Sequence, residues 1–309
     1  MAQRDARMRR MTVQSGLGFI GLGVMGEPMC RHLATKSGAR VVAYDLSPEP
    51  LARLADHGVV AAASAREVAA DADTVFVSLP SGRHLDDLCR GDGGLLAAIG
   101  RGQTIVDLGT SPLSLSRELA GLFAANGADY ADAPVARTRQ AAESGTLAIT
   151  VGAKDEVYAR IEPLLRCFAS EVTHCGDVGA GQIVKILNNM VVVQTVVALS
   201  EASAIARSVG IDTTALFETF AKGSADSFAL RNHGLKAVAP RSFPERVFST
   251  DYMLKDISYA LEMAEAAGLD TGGAVNGRDL LMRASMQGHG AEYWPVISAL
   301  MRPRTDRPS

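Results

Sequence analysis

Strong charge, paired cysteines and long apolar runs are all missing from this sequence of 309 residues. Its formal net charge is only -3, and no basic cluster lies in the body of the chain, so it lacks the electrostatic footprint of a nucleic-acid-binding protein. The four cysteines show no C-x-x-C spacing, which favours reduced thiols in a cytoplasm over a disulfide framework or a zinc site. No stretch reaches the roughly 20 apolar residues that a membrane span needs. We therefore expect a cytoplasmic protein that binds no nucleic acid, no membrane and no metal ion.

What the sequence does have is a globular composition rich in glycine. Hydrophobic residues make up 47% of the chain, charged residues make up 21%, and there are 30 glycines, which is typical of a folded protein. The length is comfortable for two domains. A basic run at residues 4–10 lacks an apolar segment, so it predicts a flexible tail over residues 1–14 and not a secretory signal.

Short β-branched runs alternate with helical segments in the first half of the chain, from Leu17 to about residue 136. Such alternation predicts βαβ units with right-handed crossovers, and hence an α/β domain with a doubly wound parallel sheet. We assign this domain to residues 15–178. The predicted strands cover residues 17–20, 41–44, 74–78, 104–108, 129–131, 147–151 and 172–175.

Strand signals almost vanish after the glycine-rich segment 176–181. A helix of about 28 residues is predicted over 181–209, and residues 179–309 are predicted to form an all-α domain. This first helix is longer and more apolar than one small domain needs, so we expect it to pack against a second subunit as well. The later predicted helices cover residues 213–221, 226–235, 251–267 and 274–287.

A glycine-rich loop follows the first predicted strand and opens the first helix. It matches the G-x-G-x-x-G pattern of dinucleotide-binding loops, in the strand–loop–helix context that makes the pattern specific. The first glycine permits a tight turn, the second lets the backbone approach a pyrophosphate, and the third lets the helix pack close to the strand. The helix N-terminus then offers free N–H groups and a positive dipole end to the phosphates. The loop comprises Gly21, Leu22, Gly23, Val24, Met25 and Gly26.

Three further strand ends are expected to border the dinucleotide, because a doubly wound sheet binds its ligand at its carboxyl edge. Asp45 ends the second strand near the spacing at which an acid accepts hydrogen bonds from the adenosine ribose. Its charge would repel a 2′-phosphate and no arginine follows it directly, so the sequence favours NAD over NADP. Alternatively, Asp45 only caps the turn toward Pro48. The other two strand ends are Leu79-Pro80 and Thr110.

Lys185 lies in a predicted helix that is otherwise almost free of charge. At 3.6 residues per turn, Gly181, Lys185 and Asn189 stack on one side of the helix with Asn188 beside them. A lone ammonium would be costly to bury in such apolar surroundings. This polar notch has two interpretations: a lysine whose proton takes part in chemistry, or a structural lysine paired with a carboxylate elsewhere.

Five motifs in this chain, in the right order, resemble those of the β-hydroxyacid dehydrogenases, the group that contains 3-hydroxyisobutyrate dehydrogenase and tartronate semialdehyde reductase. The resemblance covers about residues 17–299 and implies a Rossmann domain joined to a helical domain, in dimers or tetramers. The motifs are the glycine loop, Asp132-Ala133-Pro134-Val135, Ser144-Gly145-Thr146-Leu147, residues 176–189 around Lys185, and Lys255-Asp256.

The same resemblance implies roles for individual residues. Lys185 would be the catalytic acid/base, and Asn188 and Asn189 would bind the substrate. Thr110 would lie by the nicotinamide ribose, and Lys255 would reach the cofactor from the helical domain.

One segment departs from the family pattern. Where the family has Ser-Gly-Gly after Asp-Ala-Pro-Val, this sequence has Ala136, Arg137 and Thr138. Loss of both glycines limits close backbone approach, while the arginine offers a planar fork of donors suited to a carboxylate, sulfonate or phosphate. A similar Gly-Arg-Thr loop occurs in the branch that resembles 3-sulfolactaldehyde reductase, where the arginine grips the sulfonate. The alternative is a surface arginine paired with Asp132 or Glu143.

Together these features predict an NAD-dependent oxidoreductase that interconverts a short anionic 3-hydroxy acid, or a sulfonate analogue, and its semialdehyde or keto form. Lys185 would exchange the hydroxyl proton, and Arg137 with Thr138 would anchor the anionic tail. We expect burial to lower the pKa of Lys185 toward neutrality. Two alternatives stay open at this point: imine reduction on the same fold, and a non-catalytic dinucleotide-binding module.

Overall fold

The computed structural model describes residues 16–301, and the chain divides into a first unit that ends at Lys185 and a second that begins at Ile186. The predicted tail over residues 1–14 lies outside the described residues. Each described unit has a hydrophobic core of its own.

The first unit is built on one large sheet. Its strands are β1 (Leu17–Ile20), β2 (Val41–Tyr44), β3 (Val60–Ala61), β4 (Thr74–Val77), β5 (Thr104–Asp107), β6 (Asp129–Asp132), β7 (Val135–Ala136), β8 (Leu147–Gly152) and β9 (Ala169–Gly176). They are ordered β3-β2-β1-β4-β5-β6-β8-β7, and β9 pairs with β8. Strands β1 to β6 pair in parallel, whereas β8 runs antiparallel to β6 and β7 and parallel to β9.

The register of the parallel strands aligns their carboxyl ends. Ile20 pairs with Val77, Val77 pairs with Asp107, and Asp107 pairs with Asp132. The residues that follow β1, β4, β5 and β6 therefore emerge at one edge of the sheet, which is the edge where α/β proteins bind their ligands.

Helices cover the strands of the first unit and enclose two apolar clusters. β1 is buried at all four positions, as a parallel strand covered on both faces should be. One cluster contains the stacked rings of Phe19 and Phe76, and the other contains those of Phe123 and Tyr130. The helices are Gly26–Lys36, Pro48–Ala55, Ala65–Asp71, Gly82–Arg90, Leu95–Ala98, Leu113–Ala125, Arg139–Ser144 and Asp155–Leu165.

The predicted α/β class with a following helical region is confirmed, and the differences concern short elements. β3 and β7 contain two residues each, too few for a hydrophobic pattern to be recognised. The strand predicted over 147–151 is present as β8, but it pairs antiparallel with β6 through Asp132 and Gly152.

A helix of 29 residues, Ala180–Ser208, follows β9 and lies within one residue of the predicted range 181–209 at each end. By length and composition alone it could cross a membrane, but core helices of soluble proteins meet the same criteria. Its sequence is interrupted by Gln182, Lys185, Asn188 and Asn189.

As far as Met301, the second unit contains helices joined by turns and loops, with isolated bridges and no strand. Its core gathers buried side chains that include Phe217, Met253, Ile257 and Trp294. Trp294, the first residue of the last helix, is completely buried. The later helices are Thr213–Phe220, Leu230–Val238, Thr250–Ala266, Gly272–Ala284, Ser285–His289 and Trp294–Leu300.

Candidate active site

The backbone of the glycine loop requires glycine at two of its three glycine positions. Gly21 has φ +91°, a conformation that L side chains rarely adopt. A Cβ atom at Gly26 would lie far inside the 3.0 Å contact limit from the carbonyl oxygen of Gly21, so only glycine lets the helix approach the strand this closely. At Gly23 a Cβ atom would meet nothing within 4 Å. The first and third glycines therefore shape the loop, and the second leaves its outer side open.

The open side of the loop fits a pyrophosphate group. The helix begins at Gly26, and its N-cap residue Met25 makes no side-chain cap. The first N–H groups of a helix have no partner within the helix, and the helix dipole places positive charge there. Gly23 and Val24, at the tip of the loop, are both exposed. Phosphate oxygens could thus reach backbone donors without displacing a side chain.

Asp45, at the end of β2, is tied to the glycine loop. Its Oδ2 accepts a hydrogen bond from the backbone N–H of Leu22 at 2.6 Å, and its Oδ1 accepts one from the N–H of Ser47 at 2.8 Å. The turn cap considered from the sequence is thus present. A carboxylate has about four acceptor directions, so two such bonds leave capacity for ribose hydroxyls.

Two further residues expected near the dinucleotide lie at the same edge of the sheet. A Cβ atom at Gly21 would be 3.1 Å from Cδ2 of Leu79, and one at Gly109 would be 3.1 Å from the carbonyl oxygen of Leu79. Thr110 follows Gly109 and is 4% exposed. The ends of β1, β4 and β5 therefore adjoin one another. Pro80, also expected there, is exposed.

The helix that carries Lys185 is fixed at its first turn by Asp132, the last residue of β6. Asp132 Oδ1 accepts a hydrogen bond from the N–H of Gly179 at 2.6 Å, and Oδ2 accepts one from the N–H of Gln182 at 2.7 Å. These are helix N-terminal donors that would otherwise lack partners. Burial raises the pKa of Asp132 to about 6, although the N–H groups that face it act in the opposite direction.

Close backbone contact adds to this fixation. A Cβ atom at Gly181 would lie 2.5 Å from the carbonyl oxygen of Thr150 on β8, so the helix touches the sheet backbone to backbone. The hydroxyl of Thr150 also donates a hydrogen bond to the carbonyl oxygen of Gly181 at 3.0 Å. Lys185 is half-buried one turn further along this helix.

A buried polar network lies beneath this turn of the helix and centres on Asp107, at the end of β5. The carboxylate accepts hydrogen bonds from the N–H of Gly109, the hydroxyls of Ser111 and Tyr130, and Nε2 of Gln182, at 2.9, 2.9, 3.3 and 3.3 Å. Asp107 is 1% exposed, and burial raises its pKa to about 7 against the effect of these donors. This carboxyl group therefore changes its charge near neutral pH.

In the second unit, Asn189 and Lys255, which were expected to bind substrate and cofactor, both contact one buried carboxylate. Asp256 is 0% exposed, and its Oδ2 accepts a hydrogen bond from Nδ2 of Asn189 at 2.7 Å. Its Oδ1 lies 2.8 Å from Nζ of Lys255, which also lies 4.1 Å from the ring centroid of Tyr252. Asn188 is exposed and donates to Oδ1 of Asn189 at 3.2 Å. Asp256 thus links an asparagine and a lysine that were expected to act on different ligands.

The segment that departs from the family pattern has an unusual backbone. Arg137 is exposed and has φ +84°, which a non-glycine residue seldom adopts. Its Nη1 donates to the carbonyl oxygen of Thr146 at 2.6 Å and to the hydroxyl of Ser170 at 2.8 Å. Thr138 caps the helix Arg139–Ser144 by accepting a hydrogen bond from the N–H of Ala141.

Pairing of Arg137 with Asp132 or Glu143, the alternative considered from the sequence, does not occur within residues 16–301. Asp132 is engaged by the helix N-terminus, and Glu143 lies 2.9 Å from Arg31. Ala136 ends β7 and is half-buried.

Three carboxylates and one amide at these positions received no role from the sequence. The sequence did offer a signal for them, because each is a polar residue at the end of a buried strand or on an apolar helix face. That pattern does not predict which groups the side chain will contact. These residues are Asp107, Asp132, Gln182 and Asp256.

A glycine loop at the carboxyl edge of such a sheet defines a dinucleotide-binding protein of the Rossmann type. Residues 16–176 match the family model described as the NAD binding domain of 6-phosphogluconate dehydrogenase. Residues 179–296 match the model described as NAD-binding of NADP-dependent 3-hydroxyisobutyrate dehydrogenase. The chain belongs to the β-hydroxyacid dehydrogenase family.

Known relatives agree with this membership. The 2-(hydroxymethyl)glutarate dehydrogenase of Eubacterium barkeri is 36% identical over 80% of this chain and 81% of its own length. The 3-hydroxyisobutyrate dehydrogenase of Pseudomonas aeruginosa is 35% identical over 82% of this chain and 87% of its own. The solved structure of Mycobacterium tuberculosis 3-hydroxyisobutyrate dehydrogenase with L-serine has a TM-score of 0.85 at 29% identity, covering 94% of this chain and 100% of that one.

The predicted family and the predicted enzyme class are therefore confirmed. The protein is an NAD(P)-dependent oxidoreductase that acts on the CH–OH group of small hydroxy acids, and its cofactor is a nicotinamide dinucleotide.

Proposed function

We propose that this enzyme uses NAD to interconvert a short anionic 3-hydroxy acid, or a sulfonate analogue, and its semialdehyde or keto form, with Lys185 as the acid/base. It acts in the cytoplasm as a homodimer or homotetramer. Its site residues are those expected from the sequence, and Asp132 and Asp256 support them: Asp132 binds the helix turn before Lys185, and Asp256 binds Asn189 and Lys255.

The observation that carries this proposal is the fixation of the helix turn before Lys185 to the carboxyl edge of the sheet. Asp132 holds the N–H groups of Gly179 and Gln182, and Gly181 touches the backbone of β8. A solvated surface lysine needs no such support. A proton-transferring group does, because its efficiency depends on fixed geometry relative to the reacting atoms.

Lys185 takes the hydroxyl proton during oxidation and returns it during reduction. As an ammonium it also stabilises negative charge that develops on the carbonyl oxygen during reduction. The bound dinucleotide supplies or accepts the hydride. Asn189, whose amide is oriented by Asp256, positions the substrate oxygen with Asn188 beside it, and Lys255 contributes positive charge toward the cofactor.

Arg137 and Thr138 anchor the anionic end of the substrate. Both hydrogen bonds that Arg137 makes within the described chain go from Nη1 to neutral acceptors, so its positive charge is not neutralised by them. A guanidinium has five N–H donors, and Nε and Nη2 can still form the bidentate contact that carboxylates and sulfonates favour.

Asp45 supports the choice of NAD. Its carboxylate is held within reach of the loop that would bind the pyrophosphate, since it accepts from Leu22. A negative charge fixed there opposes the 2′-phosphate of NADP and suits the free hydroxyl of NAD.

Exposed apolar side chains on the long helix and in the turn that follows it support self-association. Val191, Ile205 and Val209 are 56, 67 and 69% exposed. Exposed apolar surface of this kind commonly marks protein–protein contact, and a homo-oligomer would cover it.

Lys185→Met tests the proposed chemistry, with Lys236→Met as the control because Lys236 is exposed and bonds only to Asn232 within the described chain. We expect kcat for 3-hydroxyisobutyrate or 3-sulfolactaldehyde, assayed with NAD(H) and NADP(H) in parallel, to fall about 10²–10⁴-fold, the range of general acid/base contributions. The Kd for NADH should stay within about twofold of wild type. Retention of more than about 5% of wild-type kcat would show that Lys185 is not the acid/base.

A further inference from the structure

The side chain of Gln182 joins the Lys185 helix to the turn that follows β5. Its Nε2 donates to the carbonyl oxygen of Gly109 at 2.9 Å and to Oδ2 of Asp107 at 3.3 Å. Its Oε1 accepts a hydrogen bond from the N–H of Ser111 at 3.2 Å. Gln182 is 0% exposed, so water does not compete for these contacts. A single amide therefore satisfies three groups of one turn.

The two backbone groups that Gln182 binds stand on either side of Thr110. Gly109 provides its carbonyl oxygen and Ser111 its N–H, so the backbone of Thr110 is held between two hydrogen bonds to the same amide. Asp107 also holds this turn, by accepting hydrogen bonds from the N–H of Gly109 and the hydroxyl of Ser111. The orientation of Thr110 is thus set by Gln182 and Asp107 together.

The same side chain also belongs to the helix turn that precedes the proposed acid/base. Residues three apart on a helix are neighbours on its surface, so Gln182 and Lys185 move together. The N–H of Gln182 is bound by Asp132 while its side chain is bound at the β5 turn. Because both the backbone and the side chain of Gln182 are bound, the first turn of the helix can neither shift nor rotate on the sheet without breaking buried hydrogen bonds, each of which is costly to lose.

We propose that Gln182, supported by Asp107, is a positioning residue that fixes the distance between Lys185 and the Thr110 turn, and thereby the alignment of proton transfer with the bound nicotinamide. This inference rests on the proposed role of Lys185. It assigns to Gln182 no contact with the substrate or with the cofactor.

The test is Gln182→Met, which keeps the length of the side chain and removes its three polar contacts. The matched control is Gln194→Met on the same helix. The only hydrogen bond that the amide of Gln194 makes in residues 16–301 is local, to the carbonyl oxygen of Met190, and its side chain packs against Gly273. We expect kcat to fall about 10- to 100-fold in Gln182→Met, as for small misplacements of catalytic groups, with KM for the hydroxy acid within about threefold of wild type.

Two additional readouts separate positioning from general destabilisation. The deuterium isotope effect of a substrate labelled at the carbinol carbon should rise in Gln182→Met, because misalignment slows the hydride step, and the pH profile of kcat should shift. Gln194→Met should change neither. If Gln182→Met lowers the thermal midpoint but leaves kcat, isotope effect and pH profile unchanged, Gln182 is merely structural and the inference is wrong.

Gln182→Glu covers the case in which the methionine variant does not fold. The acid keeps an acceptor for Ser111, and its protonated form can donate to Asp107, whereas its ionised form places two carboxylates together. Its kcat relative to wild type should therefore fall as pH rises from about 6 to 9, and a ratio that is constant over that range would contradict the inference. Should Lys185→Met remain active, the proposed function itself fails, whatever Gln182 does.

Discussion

A matched pair of substitutions in the glycine loop should separate folding from cofactor binding. Gly26→Ala places a methyl group against the backbone carbonyl of Gly21, which cannot move aside as a flexible side chain could. Overpacking of a well-packed site typically costs about 1–3 kcal/mol, and a clash with backbone belongs at the upper end of this range. Gly23→Ala adds the same methyl group where nothing lies within 4 Å, so its effect on stability should stay within about 0.5 kcal/mol.

For dinucleotide binding, the substitution at Gly23 should have the larger effect. Because the outer side of Gly23 is where the pyrophosphate would approach, a methyl group there should weaken NADH binding at least about tenfold, equivalent to about 1.4 kcal/mol. Thermal unfolding and NADH fluorescence titration measure the two effects. The midpoint should fall by roughly 5–10 °C for Gly26→Ala and by less than about 2 °C for Gly23→Ala. Unchanged NADH affinity in Gly23→Ala would show that the phosphates do not bind against this loop.

Two further predictions concern the proposed anion anchor and a buried carboxyl group. Arg137→Gly should lower kcat/KM for carboxylate and sulfonate substrates about 10- to 100-fold. Its thermal midpoint should stay within about 3 °C of wild type, because glycine accepts the positive φ without strain and this offsets the loss of two exposed hydrogen bonds; full activity with both substrates would remove Arg137 from the site. Asp107 has a folded-state pKa of about 7, above its usual 3.8, so it favours folding fully below about pH 4 and loses that contribution as pH rises to about 7. Urea unfolding measures the free energy of unfolding at pH 5 and at pH 8. Between these pH values the wild type should lose up to about 3 kcal/mol more than Asp107→Asn does, and equal losses would mean that Asp107 does not titrate in this range.

Sequence reasoning succeeded where one local pattern determines the structure. β1 and β2 were predicted at their observed bounds because each is a short apolar run beside a recognisable turn. The glycine loop was equally predictable, since its three positions have distinct steric demands that the structure reproduces at Gly21 and Gly26. These features are set by neighbours in the chain.

The roles of Asp107, Asp132 and Gln182 could not be predicted, because their hydrogen-bond partners are distant in sequence. Asp107 and Gln182 are 75 positions apart, and Asp132 and Gln182 are 50 apart. Sequence periodicity places each residue on a strand end or a helix face but gives no pairing between them. The same applies to Arg137, whose contact with Ser170 depends on β9 pairing beside β8.

The positive φ of Arg137 has a consequence for how this enzyme could diversify. Glycine would adopt the backbone of this loop without strain, so a single substitution could replace the proposed charged anchor by a bare backbone without remodelling the chain around it. Such a position gives natural variation a short route between substrates with different acidic groups. If Arg137 binds the substrate anion as proposed, that role is a reason for an arginine to occupy a position that its own conformational preference disfavours.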